Sequence, residues 1–143
     1  MNSREQNEKI WNNIFLFCKD YENNGHILTS EVEYQGYCIG SWLARQKGLY
    51  DKNIMCDQKK NKLQHLIYWR DWLNKRKLLW DNQLSLCIEY EKNGNTLSKS
   101  VIYKNKHIGS WLKRQNNKLL NNKLNQYQTN QMKKLSNKAL NIF

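Results

Sequence analysis

Proline is missing from this 143-residue chain and glycine is confined to six positions. Long stretches therefore run without the residues that most often stop a helix, and an all-α fold is the first expectation. No apolar run reaches the roughly 18 residues a membrane-spanning helix needs, and the mean hydropathy is −0.94, so the chain is not expected to span a membrane. Near the start, Arg4, Glu5, Glu8 and Lys9 precede an amphipathic segment where a secretory signal would need an apolar one. The four cysteines, Cys18, Cys38, Cys56 and Cys87, form no C-x-x-C pair and have no histidine at metal-ligand spacing. They are expected as reduced thiols of an intracellular protein, cytoplasmic or associated with a nucleoid or viral factory.

Catalytic signatures are missing too. There is no phosphate-binding G-x-x-x-x-G-K-[ST] loop and no Asp-Glu pair of the kind that holds magnesium in a helicase. His26, His65 and His107 recur at no equivalent positions and stand beside no acid or thiol in a triad or metal pattern. The expectation is a non-enzymatic protein without cofactor or metal. Acidic residues have a sharp boundary: Glu91 is the last of twelve, and residues 92–143 hold eleven Lys or Arg and no acid. Residues 1–91 set thirteen basic groups against twelve acidic ones, so nearly all of the formal charge of +12 lies beyond Glu91. Lys and Asn codons are AT-rich, but so are those of Asp and Glu, and codon bias alone would not remove the acids. A field of one sign attracts polyanions.

What the chain does contain is one sequence written twice. Residues 11–46 and 80–115 align without a gap at a spacing of 69, with 17 of 36 positions identical. The identities include Trp11/Trp80, Cys18/Cys87, Tyr21/Tyr90, Gly25/Gly94 and Tyr34/Tyr103. The block Ile39-Gly40-Ser41-Trp42-Leu43 repeats as Ile108-Gly109-Ser110-Trp111-Leu112, and Arg45-Gln46 repeats as Arg114-Gln115. A fixed period marks a duplicated structural unit, so two modules of about 70 residues are expected, at 1–76 and 77–143. Cores of that size are modest, and six Trp, eight Tyr and three Phe supply the area to build them.

Within each module the spacing predicts three helices. Trp11, Ile14, Phe15, Cys18 and Tyr21 share one face of a helix ending near Asn23, where Gly25 stops it in the left-handed conformation. The counterpart runs from Trp80 to Gly94. Residues 27–37 and 96–106 have no clean period and read as an extended or looped connection. Ile39, Trp42 and Leu43, like Ile108, Trp111 and Leu112, fall at i, i+3, i+4 and form a second helix with its Trp inward, ended by Gly48 in one copy and Asn116-Asn117 in the other. A third helix is expected from an Asp57 cap through Leu63, Leu66 and Ile67, and in the second copy from about Thr129 through Met132, Leu135 and Ala139. Residues 68–79 link the modules by a helical or short-turn connection without a flexible spacer.

These motifs resemble the helicase-associated domain, a small helical module found in tandem beside superfamily 2 helicase cores and also in giant-virus proteins. Its pattern of Leu-Gly-x-Trp-(Val/Leu)-x-x-Gln-Arg is similar to Ile39-Gly40-Ser41-Trp42-Leu43-Ala44-Arg45-Gln46-Lys47 and to Ile108-Gly109-Ser110-Trp111-Leu112-Lys113-Arg114-Gln115-Asn116. The Arg that follows the Gln in the family is Lys47 in one copy and Asn116 in the other. Each copy has an Arg two positions earlier. The Trp that closes helix three in the family matches Trp69 only. The resemblance implies association with nucleic acid.

The expected contact residues are Arg45, Gln46 and Lys47 in the first module and Lys104, Lys106, Lys113, Arg114, Gln115 and Lys118 in the second, with Lys99, Lys123, Lys133, Lys134 and Lys138 adding to the field. Guanidinium groups suit phosphate or guanine, and lysines suit the phosphate backbone without reading sequence. Solvated surface charge is the competing reading for each. Tyr34, Tyr37 and Tyr103 suit either phosphate hydrogen bonds or structural anchoring, and core packing is favoured for Trp42 and Trp111 over stacking on bases. The leading expectation is DNA binding with little sequence specificity through the second module. RNA stays open, since a basic field does not distinguish it. The alternative is a scaffold that docks a protein partner or self-associates, which an exposed aromatic patch at Trp69 and Trp72 would favour.

Overall fold

The computed structural model describes residues 2–143. Helices dominate: α1 (Ser3–Asn23), α2 (Ile39–Asp51), α3 (Asp57–Leu63), α4 (Ile67–Lys92), α5 (Ile108–Leu120) and α6 (Gln126–Met132), with a 3-10 turn at Ala139–Asn141. No strand occurs among the described residues beyond two isolated bridges, and none of the helices is long and apolar enough to cross a membrane. The chain divides into two compact units, Met1–Lys75 and Arg76–Phe143. The division falls inside α4.

That helix takes the helical form of the expected link and corrects only where the next helix opens. The expected link at 68–79 and the expected helix opening at Trp80 are one 26-residue helix, because no Gly or Pro between Ile67 and Lys92 interrupts it. The expected third helix, by contrast, breaks into α3 and α4 around Gln64-His65-Leu66. The new start has a distant cause: Glu22, at the end of α1, accepts from the backbone N–H of Ile67 at 2.8 Å and of Tyr68 at 2.9 Å. A carboxylate there satisfies two orphan donors and complements the positive end of the helix dipole. The second unit repeats the device, Glu91 accepting from Ser136 N at 3.0 Å and from the Ser136 hydroxyl.

Further boundaries move for local reasons. Cys56, not Asp57, occupies the N-cap position of α3, without a side-chain capping bond, and Asp57 lies inside the first turn. Helix α6 starts before Thr129, because Asn125 and Gln128 form a reciprocal capping box, and Leu135 and Ala139 lie beyond it yet remain buried. Gly48 does not end α2, nor Asn116-Asn117 α5. The left-handed residues are Asn53 (φ 57°) and Asn122 (φ 56°), and each helix closes one residue before its cap by paired bonds, Asn53 N to Tyr50 O with Ile54 N to Leu49 O, and Asn122 N to Leu119 O with Lys123 N to Lys118 O. Asn tolerates this conformation better than other side chains. Gly25 and Gly94 close α1 and α4 in the same way, as the sequence predicts, at φ 85° and 86°.

The connection between first and second helix is more ordered than its sequence indicates. Tyr34 and Tyr37 exchange both backbone hydrogen bonds around Gln35 and Gly36, and Tyr103 and Lys106 do so around Lys104 and Asn105. All four central residues have positive φ, the geometry of a tight type I′ turn. The turn returns the chain across the first turn of α2 or α5. There the motif glycine is obligatory for space: a Cβ on Gly40 would stand 2.3 Å from Thr29 O, and one on Gly109 2.1 Å from Ser98 O.

Each unit has its own core. Trp11, Ile14, Cys18, Leu28, Ile39, Trp42, Leu43, Met55, Leu63, Leu66 and Trp69 fill the first. Trp80, Leu84, Cys87, Leu97, Ile108, Trp111, Leu112, Met132, Leu135 and Ala139 fill the second. The Trp11 and Trp42 rings meet at 5.3 Å between centroids, and Trp80 and Trp111 at 5.6 Å, so the motif tryptophans are core residues in both copies.

Candidate nucleic-acid interface

The repeated Arg-Gln pair splits between surface and core. Gln46 and Gln115 are 4% and 5% exposed. Their Oε1 atoms accept the indole N–H of Trp11 at 3.0 Å and of Trp80 at 2.9 Å. The structure therefore removes both glutamines from the expected contact surface and makes them the acceptors for the indole N–H groups of Trp11 and Trp80, whose burial would otherwise leave a donor unpaired. Arg45 and Arg114, one residue earlier, are exposed.

The residue after the Gln differs in use. Lys47 is half-buried, donates to the Tyr68 hydroxyl at 2.6 Å, and lies 4.4 Å and 5.3 Å from the ring centroids of Tyr68 and Trp72. Asn116 is 1% exposed and donates to Ala139 O at 2.9 Å and Ile142 O at 2.8 Å, fastening the segment that closes the second core. It replaces the Trp closure that the first unit obtains from Trp69.

The first unit keeps further lysines on its own aromatic rings. Lys59 and Lys62 lie over Trp11 at 5.2 Å and 6.0 Å, and Lys60 over Tyr50 at 5.5 Å. Lys59 also pairs with Glu8 at 3.1 Å, and Lys62 donates to Asn12 Oδ1 at 2.7 Å. Except for Lys60 and Tyr50, these engagements join residues some fifty positions apart and have no short-range sequence signal. Through residue 75 the first unit carries eleven basic and nine acidic groups, a net of +2.

The second unit sets thirteen basic groups against three acids, a net of +10. Each acid has an internal partner. Asp81 accepts from the Tyr127 hydroxyl at 3.0 Å and lies 3.8 Å from Lys77. Glu89 accepts from Lys104 at 2.9 Å and 3.0 Å, which raises the Lys104 pKa through that hydrogen bond first and the opposite charge second. Glu91 holds Ser136. Of the expected contact residues, Lys104 is therefore tied to an acid at the turn. Lys106, Lys113, Arg114 and Lys118 are exposed and have no acidic partner among the described residues, as are Lys99, Lys123, Lys133, Lys134 and Lys138.

Helix α5 organises part of this set. Ile108, Trp111, Leu112, Gln115 and Asn116 form its buried side, which leaves Ser110, Lys113, Arg114, Asn117 and Lys118 on the other. The Ser110 hydroxyl donates to Lys99 O at 3.4 Å, which places Lys99 beside the first turn. Asn117 escaped the sequence reading, although the 3.6-residue period marks its position. In α2 the matching positions hold Ser41, Ala44, Arg45, Gly48 and Leu49, with one cation.

The tyrosines divide likewise. Tyr34 donates to Asp20, and the Tyr103 hydroxyl accepts from Asn93 at 3.4 Å while its ring meets Tyr90 edge-on, so both anchor the turn to the preceding helix. Tyr37 is exposed beside Phe17. Cys18 and Cys87 are fully buried, and burial, followed by the neighbouring Glu22 or Glu91, pushes each thiol up to about 12, far from a reactive thiolate. No cluster of three or more His, Cys, Asp or Glu suited to a metal occurs among the described residues.

Compared with family models, curated proteins and solved structures, the chain matches none.

Proposed function

We propose that this protein is a tandem pair of helicase-associated-like three-helix modules that binds DNA, chiefly through phosphate contacts of the second unit, with little sequence specificity. The observation that carries this reading is the pairing of acids in that unit. Asp81, Glu89 and Glu91 are each engaged internally, and apart from the Glu89–Lys104 pair at the turn none of them meets an exposed cation of α5 or its flanks. A surface kept free of counter-charge attracts a polyanion and releases its counterions on binding. The first unit has four of its lysines drawn onto its own rings and a net charge of only +2, so of its motif residues Arg45 alone is offered as a contact. A docking role through an exposed aromatic patch has less support, because Trp69 is fully buried.

The test is fluorescence anisotropy of a labelled DNA duplex with the whole chain over a range of salt. The logarithm of affinity falls linearly with that of salt, at about 0.9 per phosphate contact. Changing Lys113, Arg114 and Lys118 together to Gln lowers the slope by about two to three. A flat salt response, or an affinity unmoved by the triple substitution, overturns the reading.

A further inference from the structure

We propose that α5 lies in the major groove of B-form DNA and reads two adjacent base pairs, Arg114 taking a guanine and Asn117 an adenine. This rests on the DNA-binding reading above and adds a small base preference to it.

Four consecutive residues of α5, Arg114, Gln115, Asn116 and Asn117, carry planar side chains able to make paired hydrogen bonds. The inner two are consumed by the core, Gln115 by Trp80 and Asn116 by Ala139 O and Ile142 O. The outer two are exposed, and neither side chain has a partner among the described residues. At about 100° per residue, the order around the exposed side is Lys113, Asn117, Arg114, Lys118, covering about 140°. The two fork-bearing side chains therefore stand in the middle and a lysine stands on each margin.

That order matches a groove. A helix with its side chains is about 10–12 Å across and the major groove about 12 Å wide, so the middle of the exposed side meets base edges while the margins meet phosphates on the two walls. Arg fits O6 and N7 of guanine, and Asn fits N6 and N7 of adenine. Arg114 and Asn117 are three residues apart, about 4.5 Å along the helix, close to the roughly 3.4 Å base-pair step. In α2 the same four places hold Ala44, Gly48, Arg45 and Leu49, which supply neither the Asn nor the flanking lysines. The assignment is therefore to α5 alone. It is also to B-form DNA, since the deep, narrow major groove of A-form RNA does not admit a helix.

The experiment selects duplexes from a randomised DNA library with the whole chain, followed by affinity measurements on the enriched sequences, on a single strand and on an RNA duplex. Wild type enriches a step containing adjacent G and A by about tenfold to a hundredfold over other steps. Asn117→Ala loses the adenine preference and keeps the guanine one, and Arg114→Ala does the reverse. Changing Lys113 and Lys118 to Gln weakens binding to all duplexes alike and leaves the enriched step unchanged. Salt-dependent duplex binding without an enriched step overturns the base-reading proposal and leaves phosphate binding standing. Absence of salt-dependent binding overturns both. Tighter binding to a single strand or an RNA duplex than to any DNA duplex also overturns the assignment of α5 to the major groove.

Discussion

The indole N–H of Trp80 donates to Gln115 Oε1 at 2.9 Å, and Trp11 and Gln46 make the same bond at 3.0 Å, 35 residues apart in each case. The most conspicuous polar residue of the repeated motif thus serves the opening residue of the repeat. Gln115→Leu leaves a buried donor unpaired and is expected to cost about 1–3 kcal/mol in urea unfolding, with the same expected of Gln46→Leu in the first unit. Combining Gln115→Leu with Trp80→Phe removes both halves of the bond, and the cycle should give a coupling of about 1 kcal/mol. Strict additivity would show that the bond is not what keeps the Gln buried.

This bond also marks what the sequence could and could not reveal. Apolar residues at i, i+3, i+4 identified the buried faces of α1, α2 and α5, and Gly25 and Gly94 marked true helix ends, because those features are local. Gln46 and Gln115 read as surface residues because the partner that buries each lies on another helix. The starts of α4 and of the turn at Ser136 depend on Glu22 and Glu91, 45 or 46 residues away, so no nearby cap announces them. The acid-free stretch is legible as composition, whereas the internal pairing of Asp81, Glu89 and Glu91 depends on partners that the fold brings together from distant positions.

Glu91 has a second consequence, for local order. Replacing it with Ala removes the acceptor for Ser136 N and is expected to cost about 0.5–2 kcal/mol, with faster amide exchange at Ser136. Glu22→Ala should do the same at Ile67 and Tyr68. Unchanged exchange at these three amides would count against the clamp.

The space at Gly109 gives a harsher test. A methyl group there would press on the backbone at Ser98 and Lys99, and backbone, unlike the end of a flexible side chain, cannot swing aside. Gly109→Ala is expected to destabilise the second unit by about 1–3 kcal/mol or more, and Gly40→Ala the first. Gly48→Ala is the matched control: it lies within α2 with nothing near its Cβ position, so it should be neutral or stabilising by up to about 1 kcal/mol. Equal effects at the three positions would refute the contact explanation.

Lysine acylation followed by mass spectrometry should separate the two units without any nucleic acid present. Lys47, Lys60 and Lys62 are half-buried and held on rings or by hydrogen bonds, so their acylation should lag behind Lys113, Lys118 and Lys134, which are exposed and unpaired among the described residues. Bound DNA should then slow Lys113 and Lys118 selectively. Protection spread evenly over both units would argue against a second-unit interface.

Alkaline titration tests the buried thiols, and the direction follows from which state holds the proton. Cys18 and Cys87 are pushed from 9.0 up to about 12 in the folded chain, mainly by burial, so between those values the folded state retains protons that the unfolded state has released. Their contribution to stability is therefore fully present below about pH 9 and is lost as pH rises through about 12, with a limiting slope of about 1.4 kcal/mol per pH unit for each thiol. Lysines lose charge in the same range, which also alters stability, so the informative quantity is the difference between wild type and a Cys18→Ala, Cys87→Ala variant. That variant starts less stable because two core side chains are truncated, but its stability should decline less steeply above pH 9. Parallel decline of the two proteins would mean that the thiols are not the groups whose burial opposes ionisation.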